Sequence, residues 1–226
     1  EYSVRTGRPA WERVTGLPAF EFLAQHPDQA ATFNAAMADH TRSVAPTIIA
    51  SYDFSRFGTL VDVGGGDGTL IAAILNGVPG LRGVLFDLPA GVEGAAKTLA
   101  AAGVADRCEV ATGDFFTSVP DGADAYLLKS VIHDWDDERA VAILRSCRRA
   151  MPADGTILVV EPVLPAKVDS PEMTGTVMSD INMLVSTGGR ERTEDQFRAL
   201  STAAGFQLTA IVGEGANYRV IEGSPV

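Results

Sequence analysis

The sequence predicts an α/β protein: a seven-stranded, mostly parallel sheet that ends in an antiparallel hairpin and is preceded by a helical segment. Three observations carry this. From Leu60 onward short apolar runs alternate with amphipathic stretches, the rhythm of strands joined by crossover helices that cover both faces of a sheet. The last two apolar runs, Gln207–Val212 and Tyr218–Glu222, are joined by the turn Gly213-Glu-Gly-Ala216 and form a hairpin. The stretch from Glu1 to Tyr52 reads instead as helices and turns, with Phe33, Met37, His40 and Val44 at helical spacing.

Taken in order, the remaining strands are predicted over Leu60–Gly64, Gly83–Asp87, Cys108–Thr112, Ala125–Val131 and Thr156–Glu161. Helices over Leu70–Leu75, Val92–Ala102 and Glu138–Met151 separate most of them. In the last helix Ala140, Leu144, Cys147 and Met151 form an apolar stripe, with acids at its start and Arg145, Arg148 and Arg149 near its end, as the helix dipole favours. After Glu161 the alternation breaks into a longer excursion whose helix places Met173, Val177, Ile181 and Leu184 at helical spacing. Another helix starts at Thr193, with Gln196 set for a capping box, and runs towards Gly205. Two parts are therefore expected: a helical lead-in, residues 1–52, and a sheet domain, residues 53–226. An alternating sheet closed by an antiparallel hairpin is the order expected of the Rossmann-like class I methyltransferases.

Composition narrows the partners. A net charge of −11 disfavours nucleic acid and anionic membrane, because phosphate binding needs clustered Lys and Arg. No apolar run approaches the roughly 20 residues of a membrane span, and no signal peptide is visible. Cys108 and Cys147 form no metal or disulfide pattern, which fits core packing in a reducing cytoplasm.

Leu60-Val-Asp-Val-Gly-Gly-Gly-Asp-Gly68 is an apolar strand entering a glycine-rich turn and then a helix. Glycines at 64, 66 and 68 set its spacing, and the third position of a dinucleotide fingerprint is Thr69, so a pyrophosphate is not the expected ligand. Asp87 ends the second strand, placed to accept both hydroxyls of a ribose. Asp114, after Gly113, follows the third strand, where it can accept from an adenine amino group while Phe115 packs on the ring. Singly these are a helix cap and a core residue; at the carboxyl ends of three successive strands they form a nucleoside site.

These residues, with Leu127-Leu-Lys-Ser-Val-Ile-His-Asp-Trp-Asp-Asp137 and Gly188-Gly-Arg-Glu-Arg-Thr193, resemble the S-adenosylmethionine-dependent O-methyltransferases of the plant caffeic-acid type and their bacterial relatives that tailor aromatic antibiotics. The resemblance runs from Thr15-Gly-Leu-Pro-Ala-Phe-Glu-Phe22 through Phe33-Asn-Ala-Ala-Met37 to the last strand. It implies methyl transfer to a hydroxyl of a small aromatic (phenolic or polyketide-like) metabolite, with S-adenosylhomocysteine as product. Gly64, Gly66, Asp87, Leu88, Gly113, Asp114, Phe115 and Lys129 match cofactor-binding positions. His133 matches the catalytic base and Glu161 and Glu191 the acids that flank it, while Met37, Met178 and Asn182 match the acceptor pocket. Family members also carry an N-terminal winged-helix-like domain that forms a homodimer. The resemblance thus implies a truncated, monomeric portion of a dimeric protein, with the helical lead-in contributing to the acceptor pocket.

The chemistry stands on the residues too. His133 lies just past the fourth strand and Glu161 at the end of the fifth. If those strands are neighbours their ends lie about 5 Å apart, so the carboxylate can hold the imidazole in one tautomer. Against a phenol of pKa about 10, an imidazole of about 6.5 can take the proton as the methyl moves but cannot ionise the phenol beforehand. No metal is required; Asp134, Asp136 and Asp137 open a helix, where acids are favoured anyway. Alternatives open at this point are a relative redirected to hydroxylation or decarboxylation, a dinucleotide-dependent oxidoreductase and a non-catalytic cofactor-binding module.

Overall fold

The computed structural model describes residues 1–168, 173–215 and 217–226. Helices α1 (Tyr2–Thr6), α2 (Ala10–Thr15), α3 (Ala19–Gln25) and α4 (Pro27–Ser51) come first. Pro27 opens α4, where a missing N–H costs no hydrogen bond. The two halves of α4 meet different surroundings. Ala45 and Ile48 are buried in the main core, whereas Phe33 and Met37 stay 38% and 41% exposed.

The chain continues through β1 (Thr59–Val63), α5 (Thr69–Gly77), β2 (Arg82–Asp87), α6 (Ala95–Ala101), β3 (Cys108–Thr112), β4 (Ala125–Lys129), α7 (Asp137–Ala150) and β5 (Thr156–Glu161). There follow β6 (Val163–Leu164), α8 (Thr174–Ser186), β7 (Arg192–Thr193), α9 (Glu194–Ala204), β8 (Phe206–Val212) and β9 (Arg219–Pro225). Seven strands form one sheet in the order β3-β2-β1-β4-β5-β9-β8. Its first five strands are parallel, and β9 runs antiparallel to both β5 and β8. The sheet is the predicted one. The short parallel pair β6–β7 is an addition that two-residue strands do not betray in sequence.

Strand residues alternate between two cores, as a sheet covered on both faces requires. Leu60, Leu127 and Leu158 enter one with α4, α5 and α6 residues; Val61, Tyr126 and Val159 enter the other with α7 and α9 residues. The stripe predicted on α7 is buried, and Asp136 caps that helix by accepting from Arg139 N at 2.8 Å, worth about 1 kcal/mol. The capping box of α9 forms between Thr193 and Gln196. Among the described residues no helix is long and apolar enough to cross a membrane.

Several boundaries differ from expectation, among them those of β4, α6 and β9. β4 stops at Lys129 because Ser130 takes a left-handed φ of 54°. α6 starts at Ala95, later than predicted, because Leu88 O accepts from Gly91 and Val92 and the chain first closes a turn. β9 extends past Glu222 to Pro225, and Ala216 of the predicted turn lies outside the described residues.

Candidate active site

The carboxyl ends of β1, β2, β4 and β5 lie along one edge of the sheet, and the candidate residues gather there. β1 gives way to Gly64, which has a φ of 72° and donates its N–H to Phe86 O at 2.7 Å. A Cβ here would stand 2.8 Å from Val131 and 3.8 Å from Phe115, so only glycine satisfies both torsion and space. Asp87 accepts from Gly66 N through Oδ2 at 2.8 Å and from Leu88 N through Oδ1 at 2.6 Å. Burial pushes its carboxyl up, against these two bonds. Each oxygen keeps a second lone pair for a ligand hydroxyl. Gly113 N donates to Asp87 O at 3.1 Å, and Asp114 Oδ1 accepts from Phe116 N at 2.9 Å. Open space above Gly66, the Asp87 carboxylate beside it and the Phe115 ring near Gly64 are features that a nucleoside site would use. Beneath the turn Asp62 is buried, pushed up to about 7 by burial and then by Asp87.

Lys129, also assigned to the cofactor, is 9% exposed and donates to Thr41 Oγ1 of α4 at 3.1 Å. Its ammonium lies 5.1 Å above the Tyr218 ring, and Tyr218 shares a 2.9 Å hydrogen bond with Ser130 Oγ. Burial lowers the Lys129 pKa.

β4 and β5 are parallel neighbours, as the His133–Glu161 pairing requires. The left-handed Ser130 turns three successive N–H groups onto one oxygen. Glu161 Oε1 accepts from Val131, Ile132 and His133 N at 3.0, 2.9 and 3.3 Å. Glu161 thus shapes the His133 turn as well as facing the ring. Its Oε2 stands 3.1 Å from His133 Nδ1 but out of line for a hydrogen bond. The hydrogen bond from Nδ1 goes instead to Glu191 Oε1, at 3.0 Å. All three side chains are buried. Burial disfavours the His133 cation, but the charge of Glu161 and the hydrogen bond to Glu191 outweigh it and hold the pKa up at about 10. The ordinary imidazole value expected from sequence is thereby corrected: two acids face one nitrogen. With Nδ1 held as a donor, Nε2 is the atom left to exchange a proton with a ligand.

Two neighbours lock this turn, and the Gly188–Thr193 motif gave their positions but not their roles. Arg192, with no exposed surface, donates to Ile132 O at 3.0 Å and Trp135 O at 2.7 Å and pairs with Asp137 at 2.9 Å. Arg190 N donates to His133 O at 2.8 Å. At Gly189 a Cβ would fall 2.0 Å from His133 O, so backbone meets backbone there.

The acceptor candidates are less tightly gathered. Met178 and Asn182 lie one turn apart on α8, and Met178 is 55% exposed. Met37 lies on α4, one turn from His40, whose ring packs at 5.4 Å on Tyr218. Trp135, not singled out from sequence, stacks on Phe20 at 5.5 Å and meets Phe115 and Phe116 edge-on. It joins α3 to the predicted nucleoside side.

The acids that open α7 are occupied, Asp136 in the cap and Asp137 with Arg190 and Arg192. His133, Glu161 and Glu191, however, bring ligand atoms within 4.8 Å of one another, a grouping that a metal ion could use and that sequence spacing did not disclose. Within the group Nδ1 bonds to Glu191 Oε1, while Glu161 Oε2 and Glu191 Oε2 have no hydrogen-bond partner among the described residues.

The seven-stranded sheet and the groups along this edge define a Rossmann-like α/β domain. Residues 1–207 match the O-methyltransferase domain family, and the chain belongs to it. It is 46% identical over its whole length to the O-demethylpuromycin-O-methyltransferase of Streptomyces alboniger, spanning 61% of that protein. The crystal structure of LaPhzM superposes with a TM-score of 0.95 at 44% identity, over 100% of this chain and 67% of that one. The O-methyltransferase NcsB1 from neocarzinostatin biosynthesis, solved with S-adenosylmethionine and 2-hydroxy-5-methyl naphthoic acid, superposes with a TM-score of 0.88 at 33% identity, over 100% of this chain and 66% of that one.

Proposed function

We propose that this chain is the cofactor-binding and catalytic part of an S-adenosylmethionine-dependent O-methyltransferase acting on a small aromatic metabolite, with His133 as general base. The observation that carries it is the buried His133, its Nδ1 held by Glu191 and faced by Glu161, on the sheet edge that also bears Gly64 and Asp87. S-adenosylmethionine, when bound, supplies a methyl group on a positively charged sulfur. Gly64, Gly66, Asp87, Leu88, Gly113, Asp114, Phe115 and Lys129 would hold it, and Met37, Met178 and Asn182 on the helical lead-in and α8 would line the acceptor. NcsB1, solved with a hydroxynaphthoic acid, supports an aromatic acceptor.

His133 does one thing: Nε2 accepts the acceptor's hydroxyl proton as its oxygen takes the methyl, while Nδ1–H stays on Glu191. An imidazole raised towards a phenol's pKa of about 10 makes that transfer nearly balanced, where an ordinary imidazole would not. The same shift means that the ring must first lose a proton, so the rate rises with pH. Glu161 and Glu191 hold the ring; a metal has no necessary part. The buried free thiols of Cys108 and Cys147 fit work in a reducing cytoplasm.

The test is methyl transfer by the whole protein to a panel of phenols and hydroxynaphthoates, read as S-adenosylhomocysteine formed together with the methyl ether. Turnover on at least one hydroxyl is expected. Cofactor binding with no transfer to any oxygen, or hydroxylated or decarboxylated products, would overturn the proposal.

A further inference from the structure

We infer that Ser179 is a positioning residue for the proton transfer: it fixes the carboxylate that fixes His133, from the same helix that carries Met178 and Asn182. The inference rests on the reading of His133 as the base. Ser179 Oγ donates to Glu191 Oε1 at 2.6 Å, and the same oxygen accepts from His133 Nδ1 at 3.0 Å. The next residue along, Asp180, accepts Glu191 N through Oδ1 at 2.9 Å. α8 therefore grips Glu191 twice, at its backbone and at its carboxylate. Glu191 is 2% exposed and its Oε2 has no hydrogen-bond partner among the described residues, so Oε1 carries the bonds that satisfy the charge. The serine hydroxyl is one of only two donors to that oxygen among the described residues.

The placement of the grip matters as much as its strength. Met178 precedes Ser179 and Asn182 lies one turn on; Ser186 Oγ donates to Asn182 Oδ1 at 3.3 Å, which leaves the amide N–H groups of Asn182 for another acceptor. α8 buries none of its side chains fully and packs on the short helices α1 and α2. An acceptor seated against Met178 and Asn182 thus presses on the helix that sets Glu191, and through Glu191 it sets the imidazole. Other titratable groups around the pair are Glu161 on β5, Asp134 in the His133 turn, Lys129 at the end of β4, His40 on α4, Arg192 on β7 and the Tyr218 hydroxyl. A Ser179 variant leaves all of them in place.

Without the serine hydroxyl, Glu191 Oε1 leans on Nδ1–H alone and favours the imidazolium. Ser179→Ala in the whole protein should lower kcat about ten- to a hundredfold, the effect of one hydrogen bond to a charged group. The acidic limb of kcat should move to higher pH, with S-adenosylhomocysteine affinity unchanged. Ser179→Thr, which keeps a hydroxyl, should restore both rate and limb. Should the alanine variant fail to fold, Ser179→Cys, a weaker donor, carries the same comparison. A wild-type rate in Ser179→Ala, a loss of rate with the limb unmoved, or no rescue by threonine would overturn the inference. His133→Ala measured alongside separates the two readings. If it retains turnover the base assignment fails; if it is inactive while Ser179→Ala is normal, only the role of Ser179 falls.

Discussion

Gly189→Ala puts one methyl group against the turn that presents His133. Its Cβ would lie 2.0 Å from His133 O, 2.4 Å from Asp134 C and 2.7 Å from Trp135 N, all backbone atoms that no rotamer change can clear. Close carbon–oxygen contacts are about 3.3 Å, so the two segments must part by roughly 1 Å. The casualties are the 2.8 Å bond from Arg190 N to His133 O and, next along the chain, the 3.0 Å bond between Nδ1 and Glu191. A displacement of about 1 Å at a reacting group costs on the order of a hundredfold, about 2.7 kcal/mol of barrier. The proposed nucleoside side has anchors of its own, Gly64 just after β1 held by Phe86 O and Asp87 at the end of β2 held by Gly66 N. Steady-state methyl transfer and calorimetric S-adenosylhomocysteine binding should therefore separate: kcat down about a hundredfold, affinity unchanged, the protein still folded by circular dichroism. Wild-type kcat in this variant would refute the claim that the His133 turn is held in place by backbone packing against Gly189.

Other outcomes follow from the same geometry. Asp87→Ala should weaken S-adenosylhomocysteine by about 1.5–3 kcal/mol in calorimetry, the scale of bonds to a charged group, and an unchanged affinity would move the ribose elsewhere. Exhaustive EDTA treatment should leave turnover intact; loss restored by a divalent ion would place that ion among His133, Glu161 and Glu191. The resemblance implies that family members pair through an N-terminal winged-helix-like domain, so these 226 residues by themselves should sediment as a monomer. A tight dimer would put an interface within these 226 residues.

The sheet was legible because its signal is local: Leu60, Val61 and their counterparts alternate between two cores, and that alternation is written residue by residue. The acid and glycine positions at strand ends followed from the same register. The end of β4 did not, because Ser130 adopts a left-handed φ beside a carboxylate distant in sequence, Glu161, which collects three N–H groups. Nor did the division of labour between the acids. Sequence placed Glu161 against the imidazole, and structure gives the hydrogen bond to Glu191 and the backbone to Glu161. The raised His133 pKa depends on both acids meeting one nitrogen in a buried place, a long-range arrangement with no local trace. Ser179 and Arg192 were silent for the same reason, since a serine in a helix and an arginine beside a glutamate are ordinary until the fold brings them to the base.

The pH dependence of methyl transfer in wild type and His133→Ala, in the whole protein with a phenol it methylates, bears most directly on the role of this histidine. The pKa of His133 is raised, so the base form grows in as pH climbs, and the acidic limb of kcat/KM should lie above the ordinary imidazole value of about 6.5. His133→Ala should lose roughly a hundred- to ten-thousandfold in rate together with that limb. S-adenosylhomocysteine affinity should barely change, and Glu161→Gln should do less harm because the imidazole remains. Near-normal turnover in His133→Ala with its acidic limb intact would contradict base catalysis by this residue.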